Sequence, residues 1–183
     1  MTGISTRSKW LRCVSALGVL VIISYVVCLP NVYENEPTDA LWFGIDGVLR
    51  NVYYVSMILT AIAFVGTVWW LYAYFPRHHF EQLQRPYATF LVGAILWSVT
   101  LWSWGRSLSV LPPYKQCLTR IAKLLVIMSL CATSLGSVWI AYRTNQYANR
   151  VPIWVNVALF VVCTHVIVLD NIGWTSVFLM RRS

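Results

Sequence analysis

Asp170 and His165 are the residues of this chain whose types and places point to chemistry in an apolar setting. Asp170 is the one acid that abuts a long apolar run, separating 151–169 from the uncharged stretch 171–180. An ionisable side chain at membrane depth is costly and marks, by default, an ion or proton path or a binding site. If one helix runs over 152–180, Asp170 lies at that depth. If the helix ends near Leu169, with Asn171 and Gly173 as its C-terminal stop, the carboxylate sits among headgroups. An acid at a helix C-terminus opposes the helix dipole, so a partner is expected in either case. His165 shares the run with Asn156 and Thr164. Five residues turn an ideal α-helix by about 140°, which puts His165 and Asp170 on different faces and makes them a poor direct pair. Asp170 and Trp174, four apart, share a face. The intramembrane polar site expected from the sequence is therefore His165, Asp170 and Trp174. The plainer alternative is a histidine hydrogen-bonded into a helix bundle and a structural aspartate.

Small and hydroxyl residues form two stripes. Ser56, Thr60, Ala63 and Thr67 follow helical spacing, and Ser129, Thr133 and Ser137 repeat every four residues beside Ala132 and Gly136. Such spacing lets helix backbones approach and hydrogen-bond across. The stripes read as helix-packing surfaces or as the lining of a polar pathway, to which Ser98, Thr100 and Ser103 would add. His78-His79 lies in a short basic connection with Arg77, Glu81 and Arg85. Adjacent histidines lack the i, i+4 geometry of a metal pair, so no metal site is expected, and contact with anionic headgroups suits the segment better. Cys13, Cys28, Cys117, Cys131 and Cys163 are odd in number and contain no C-x-x-C, which signals neither a disulfide framework nor a zinc or redox pair. There is no G-x-S-x-G, H-E-x-x-H, P-loop or pair of carboxylates, so no catalytic set and no cofactor is indicated.

The elements that must position these residues follow from composition. Of 183 residues 58% are hydrophobic, 15% aromatic and only 11% charged, against about 25% charged in an ordinary soluble domain. Mean hydropathy is +0.64. A disordered chain would be polar, and a soluble globule of this size could not hide so much apolar surface. The net charge of +8 would suggest nucleic acid in a soluble protein. Here the basic residues cluster at the ends of apolar runs, where they meet phosphate headgroups, and nucleic-acid binding is not expected.

Charge-free runs at 13–29, 51–75, 86–105, 124–142 and 151–169 approach or exceed the roughly 20 residues a helix needs to cross a bilayer. They are continuously apolar rather than alternating, which excludes barrel strands. Pro30, Pro76, Pro86 and Pro152 stand at run edges, and Pro112-Pro113 in a connection. Trp10, Trp69, Trp70, Trp102, Trp104, Trp139, Trp154 and Trp174 fall near run ends, as an aromatic belt would.

The expected fold is all-α, a polytopic transmembrane helical bundle of about five spans. Residues 1–12 form a basic N-terminal tail, 13–29 a first span, 30–50 an acidic connection with Glu34, Glu36, Asp39 and Asp46, and 51–180 a four-span bundle. The first span, preceded by Arg7, Lys9 and Arg12, has the layout of a signal peptide, but its apolar part is long and lacks an A-x-A-like site, favouring an uncleaved span. The Ser-rich third run is the expected irregular one. Val55, Met57, Leu59 and Ala61 match Val126, Met128, Leu130 and Ala132, while Gly66, Val68, Trp69 and Tyr72 match Gly136, Val138, Trp139 and Tyr142. This weak repeat reads as a duplicated helical hairpin or as coincidence between two similar spans. Basic residues divide equally between the two sides, so positive-inside counting leaves the topology open and does not identify the membrane. The expected function is a membrane-embedded subunit or scaffold that binds lipids and partner helices, other membrane proteins or its own copies. The alternative is a small transporter, channel or membrane ligand-binding protein using the polar groups of the last span.

Overall fold

A computed structural model of the chain describes residues 6–33, 45, 47–107, 114–148 and 150–180. The acids Glu34, Glu36, Asp39 and Asp46 and the pair Pro112-Pro113 lie outside them. Helices α1 (Thr6–Tyr33), α2 (Gly47–Tyr74), α3 (Phe80–Ser107), α4 (Lys115–Tyr147) and α5 (Ile153–Thr164) are followed by a π-helix, His165–Trp174, which runs into α6 (Thr175–Met180). A 3-10 turn, Arg77–His79, joins α2 to α3, and no strand occurs among the described residues. Five stretches are long and apolar enough to cross a membrane: Thr6–Cys28, Gly47–Tyr74, Arg77–Trp104, Gln116–Tyr147 and Ile153–Leu179.

The helices extend beyond the charge-free runs because their ends are amphipathic. α1 begins inside the basic segment, and its Trp10 is buried against Phe80 and Tyr87. α3 begins six residues before Pro86, so this proline lies inside the helix instead of opening it. The added turn buries Phe80 and Leu83 and turns Glu81, Gln82, Gln84 and Arg85 outward. That burial offsets the backbone hydrogen bond that a proline cannot donate. Arg7 lies 3.9 Å from the centre of the Tyr72 ring, and the Arg143 guanidinium donates to the Tyr147 hydroxyl at 2.7 Å. Basic and aromatic end residues thus hold one another.

α3 is the hub, packed on α1 along one side and on α4 along the other. α5 packs on α2, and the π-helix packs mainly on α4. The α3–α4 seam is close because a glycine of each helix faces the other's backbone. A Cβ at Gly93 would stand 2.8 Å from the Thr133 nitrogen, and one at Gly136 would stand 2.6 Å from the Phe90 nitrogen. Two apolar clusters fill the interior. One gathers Trp10, Leu71, Phe80, Leu83, Tyr87 and Val155; the other gathers Tyr53, Leu101, Trp104, Val126, Trp174 and Phe178. Outside, large apolar side chains such as Ile22, Val26, Val55, Ile62, Val65, Met128, Leu135 and Phe160 are exposed. The apolar residues therefore face outward as well as inward, the reverse of a water-facing surface.

The third run is an unbroken α-helix, and the irregular backbone lies in the fifth. Ser98, Thr100 and Ser103 return their hydroxyls to carbonyls three or four residues earlier on their own helix. These bonds leave α3 intact, so its serines and threonine do not break it. The two matched glycines of the weak repeat have different neighbours. Gly136 faces the Phe90 backbone, whereas a Cβ at Gly66 would meet only the Trp154 ring, at 3.7 Å.

Candidate functional site

The polar residues of the last long helix are brought together by its π-segment. There the backbone closes i→i+5 hydrogen bonds, as in the bond from the Thr175 amide to the Asp170 carbonyl. Five residues then complete about one turn, so His165 and Asp170 come to the same side. His165 Nε2 lies 3.5 Å from Asp170 Oδ2. The expectation that the two do not share a face is corrected: it holds for an α-helix, and this segment is not one. Asn171 and Gly173 likewise do not stop the helix, which continues to Met180.

Side chains from neighbouring helices hold the widened turn. The Tyr53 hydroxyl of α2 donates to the Leu169 carbonyl. Ser134 of α4 reaches the Val166 carbonyl at 3.4 Å, and the Asn171 amide donates to the Ser134 hydroxyl at 3.1 Å. Gly173 makes room for this arrangement, since a Cβ there would stand 3.0 Å from the Tyr53 hydroxyl. Side chains inserted beside the helical ladder are a recognised cause of such local unwinding. π-segments are frequent at functional sites.

His165 is buried, and its Nδ1 lies 2.8 Å from Ser56 Oγ of α2. Its ring therefore spans from the Ser56 hydroxyl on one side to the Asp170 carboxylate on the other. Asp170 keeps 31% of its side-chain surface accessible, and it lines a cavity of about 110 Å³ together with His165, Trp174, Tyr25, Tyr53 and Trp97. Met57, Ala94, Leu130 and Thr133 complete the wall. His165 also lines a second, more open hollow of about 480 Å³ between α2 and α5, with Ser56, Asn51, Thr164 and Phe160. One imidazole thus stands in the walls of both an inner cavity and an outer groove.

The three residues of the expected polar site, His165, Asp170 and Trp174, all line the inner cavity. The hydroxyl stripes divide. Thr133 lines the cavity, but its hydroxyl donates to the Ser129 carbonyl at 2.8 Å. Ser129 and Ser137 are buried and bond to carbonyls of their own helix. Thr67 does the same with Ala63, and the Thr60 hydroxyl is buried without a hydrogen-bond partner among the described residues. Ser56 and Ser137 are stripe members that reach a side chain of another helix, Ser56 at His165 and Ser137 at Cys163. The α4 stripe therefore packs within the chain and does not line a continuous polar path.

Tyr25, Tyr53, Trp97 and Ser134 belong to the site without having stood out among the many aromatics and polar residues of the sequence, and Asn171, read there as a helix stop, bonds to Ser134 instead. The available signal was weak: Tyr53 lies at the start of the second run and Tyr25 inside the first, deeper than a belt residue needs to be. The His79 ring lies between those of His78 and Tyr147, with tilted contacts at 4.1 and 4.5 Å between centres. No group of three or more His, Cys, Asp or Glu side chains capable of holding a metal occurs among the described residues. The chain has no match among protein families, curated proteins or solved structures.

Proposed function

We propose that this chain is an integral membrane protein of five spans that binds, or moves, a small ligand in a cavity within the bilayer. The observation that carries the reading is the convergence of Asp170, His165 and Trp174 on one cavity with Tyr25, Tyr53 and Trp97. A carboxylate held inside an apolar bundle costs free energy, and a group kept at that cost reads by default as serving a ligand, ion or proton; a concave, mostly apolar wall with a few polar groups is the common form of a small-molecule site. Asp170 stands nine residues before the end of the last span, Ile153–Leu179, or about 13 Å along a helix. That is well inside a hydrocarbon core about 30 Å thick. The outer groove behind His165 offers access from the lipid side, and the exposed apolar faces of α1, α2 and α4 are the contact with lipid.

The scaffold reading drew on the small and hydroxyl stripes as docking surfaces for partner helices. The inward packing of Ser129, Thr133 and Ser137 leaves those groups unavailable for a partner, which favours the ligand-binding reading.

Thiol accessibility tests it. In a variant without the five native cysteines, Ala94→Cys and Val92→Cys are compared in bilayers, using a compact methanethiosulfonate-ethylammonium reagent and a bulky biotin-maleimide. Ala94 lines the cavity and Val92 faces outward. The expected result is modification at position 94 by the compact reagent alone and none at position 92 by either. No reaction at 94 would mean a sealed core. Reaction of both reagents at both positions would mean water-facing helices, and either result refutes the reading.

A further inference from the structure

We propose that the inner cavity selects a small organic ammonium ion, held by Asp170 and boxed by Tyr25, Trp97 and Trp174. The inference rests on the cavity reading and names the ligand class. Three features converge on it.

The first is an underused carboxylate. A carboxylate offers two oxygens and about four acceptor positions. Among the described residues the only basic side chain within 4 Å of the Asp170 carboxylate is His165, at 3.5 Å. Charge-assisted N–H···O contacts run to about 2.7–2.9 Å, so this contact is loose and leaves acceptor capacity toward the cavity. His165 already engages Ser56 through its other nitrogen.

The second is the arrangement of the rings. Tyr25 and Trp97 lie 5.6 Å apart between centres at 65°, and Trp97 and Trp174 lie 5.8 Å apart at 76°. At these angles the edge of one ring meets a face of the other, so each contact takes up one face of the pair and leaves the remaining faces for other contacts. Aromatic faces attract a cation through the ring quadrupole, and tryptophan does so best. Trp174 is fixed from behind by stacking on Phe178 at 4.8 Å and 18°.

The third is volume and lining. An apolar cavity of about 150 Å³ takes benzene, so one of about 110 Å³ suits a group of about five heavy atoms. Calcium or magnesium needs six or more oxygen ligands, zinc at least three His, Cys or carboxylate ligands, and the wall supplies one carboxylate and one imidazole among mostly carbon surfaces. A proton would neutralise Asp170 but would leave the volume and the aromatic walls without a role. An ammonium carrying methyl groups or a short chain meets both, pairing its charge with Asp170 and its carbon with the rings.

The test uses the full chain in uncharged dodecyl maltoside micelles and two probes of equal heavy-atom count, tetramethylammonium and tert-butanol, with ionic strength matched by sodium chloride. The readout is the thermal unfolding midpoint, which rises with any ligand that binds the folded state only. Tetramethylammonium is expected to raise the midpoint saturably, with tert-butanol at least tenfold weaker. Asp170→Asn, which keeps the side chain's shape, and Trp97→Leu are each expected to raise the half-saturating concentration at least tenfold. Equal stabilisation by both probes, or an Asp170→Asn protein that binds tetramethylammonium as the native chain does, overturns the cation assignment and leaves the cavity reading standing. Stabilisation by neither probe overturns both.

Discussion

Four helical glycines allow one substitution to be read against four different surroundings. Gly136→Ala would place a Cβ 2.6 Å from the Phe90 nitrogen, 2.7 Å from its Cα and 2.9 Å from its Cβ. Carbon atoms prefer about 3.5–4.0 Å, so the overlap approaches 1 Å and falls on backbone, which no side-chain rotation relieves. α3 and α4 must part. Gly93→Ala meets the Thr133 hydroxyl at 2.6 Å and nitrogen at 2.8 Å, on the residue that also lines the cavity. Gly66→Ala finds only a ring carbon of Trp154 at 3.7 Å, an ordinary contact, and Gly18→Ala finds nothing within 4 Å. Alanine gains about 1 kcal/mol over glycine in a helix interior, and overpacking costs about 1–3 kcal/mol or more. Gly18→Ala and Gly66→Ala should therefore be neutral or stabilising by up to about 1 kcal/mol. Gly93→Ala and Gly136→Ala gain the same propensity but carry the overpacking cost, so they should fall about 1–3 kcal/mol or more below Gly18→Ala. Unfolding in mixed micelles by increasing sodium dodecyl sulfate, followed by helical ellipticity, orders the four. Equal stability of Gly18→Ala and Gly136→Ala would refute the close α3–α4 seam.

Two other substitutions test the support of the site. Tyr53→Phe removes the hydroxyl that holds the Leu169 carbonyl and should destabilise by about 0.5–1.5 kcal/mol. Gly173→Ala crowds that hydroxyl at 3.0 Å, so its cost should shrink in the Tyr53→Phe background. A double-mutant cycle reads the coupling, and strict additivity would contradict the contact. Trp10→Ala should destabilise by about 3–5 kcal/mol, because Trp10 is buried between Phe80 and Tyr87. A loss below about 0.5 kcal/mol, within the range of ordinary surface changes, would mean that α1 is only an appended span.

The helical class and five membrane-capable helices were legible because the signal is additive: long charge-free runs with basic and aromatic ends need no tertiary information. The interior arrangement was not. The sequence of α4 shows small residues every four positions, but which helix they face depends on Gly93 and Phe90 of another element. His165 and Asp170 could be singled out by type, yet their pairing was hidden. Residue spacing was converted to angle by the α-helical period, and the π-segment that changes the period is imposed by Tyr53 and Ser134 from α2 and α4. Gly173, which read as a helix stop, gives the Tyr53 hydroxyl its room. The aromatic walls were hidden by abundance. With ten tryptophans and ten tyrosines, the belt reading absorbed most of them, yet Trp10, Trp70, Trp104 and Trp174 are buried, and Tyr25, Tyr53 and Trp97 differ from the rest mainly by what stands across from them in space.

The central claim is that the last long helix changes its winding so that His165 contacts Asp170 on one side and Ser56 on the other. Solid-state NMR of ring ¹⁵N shifts in bilayers tests it most directly, with His78→Gln and His79→Gln leaving His165 as the single histidine. The account predicts that Asp170→Asn moves the Nε2 signal and that Ser56→Ala moves the Nδ1 signal. An Asp170→Asn protein with both ring signals unmoved would contradict it, because that is the behaviour of an α-helix in which the two residues face different ways.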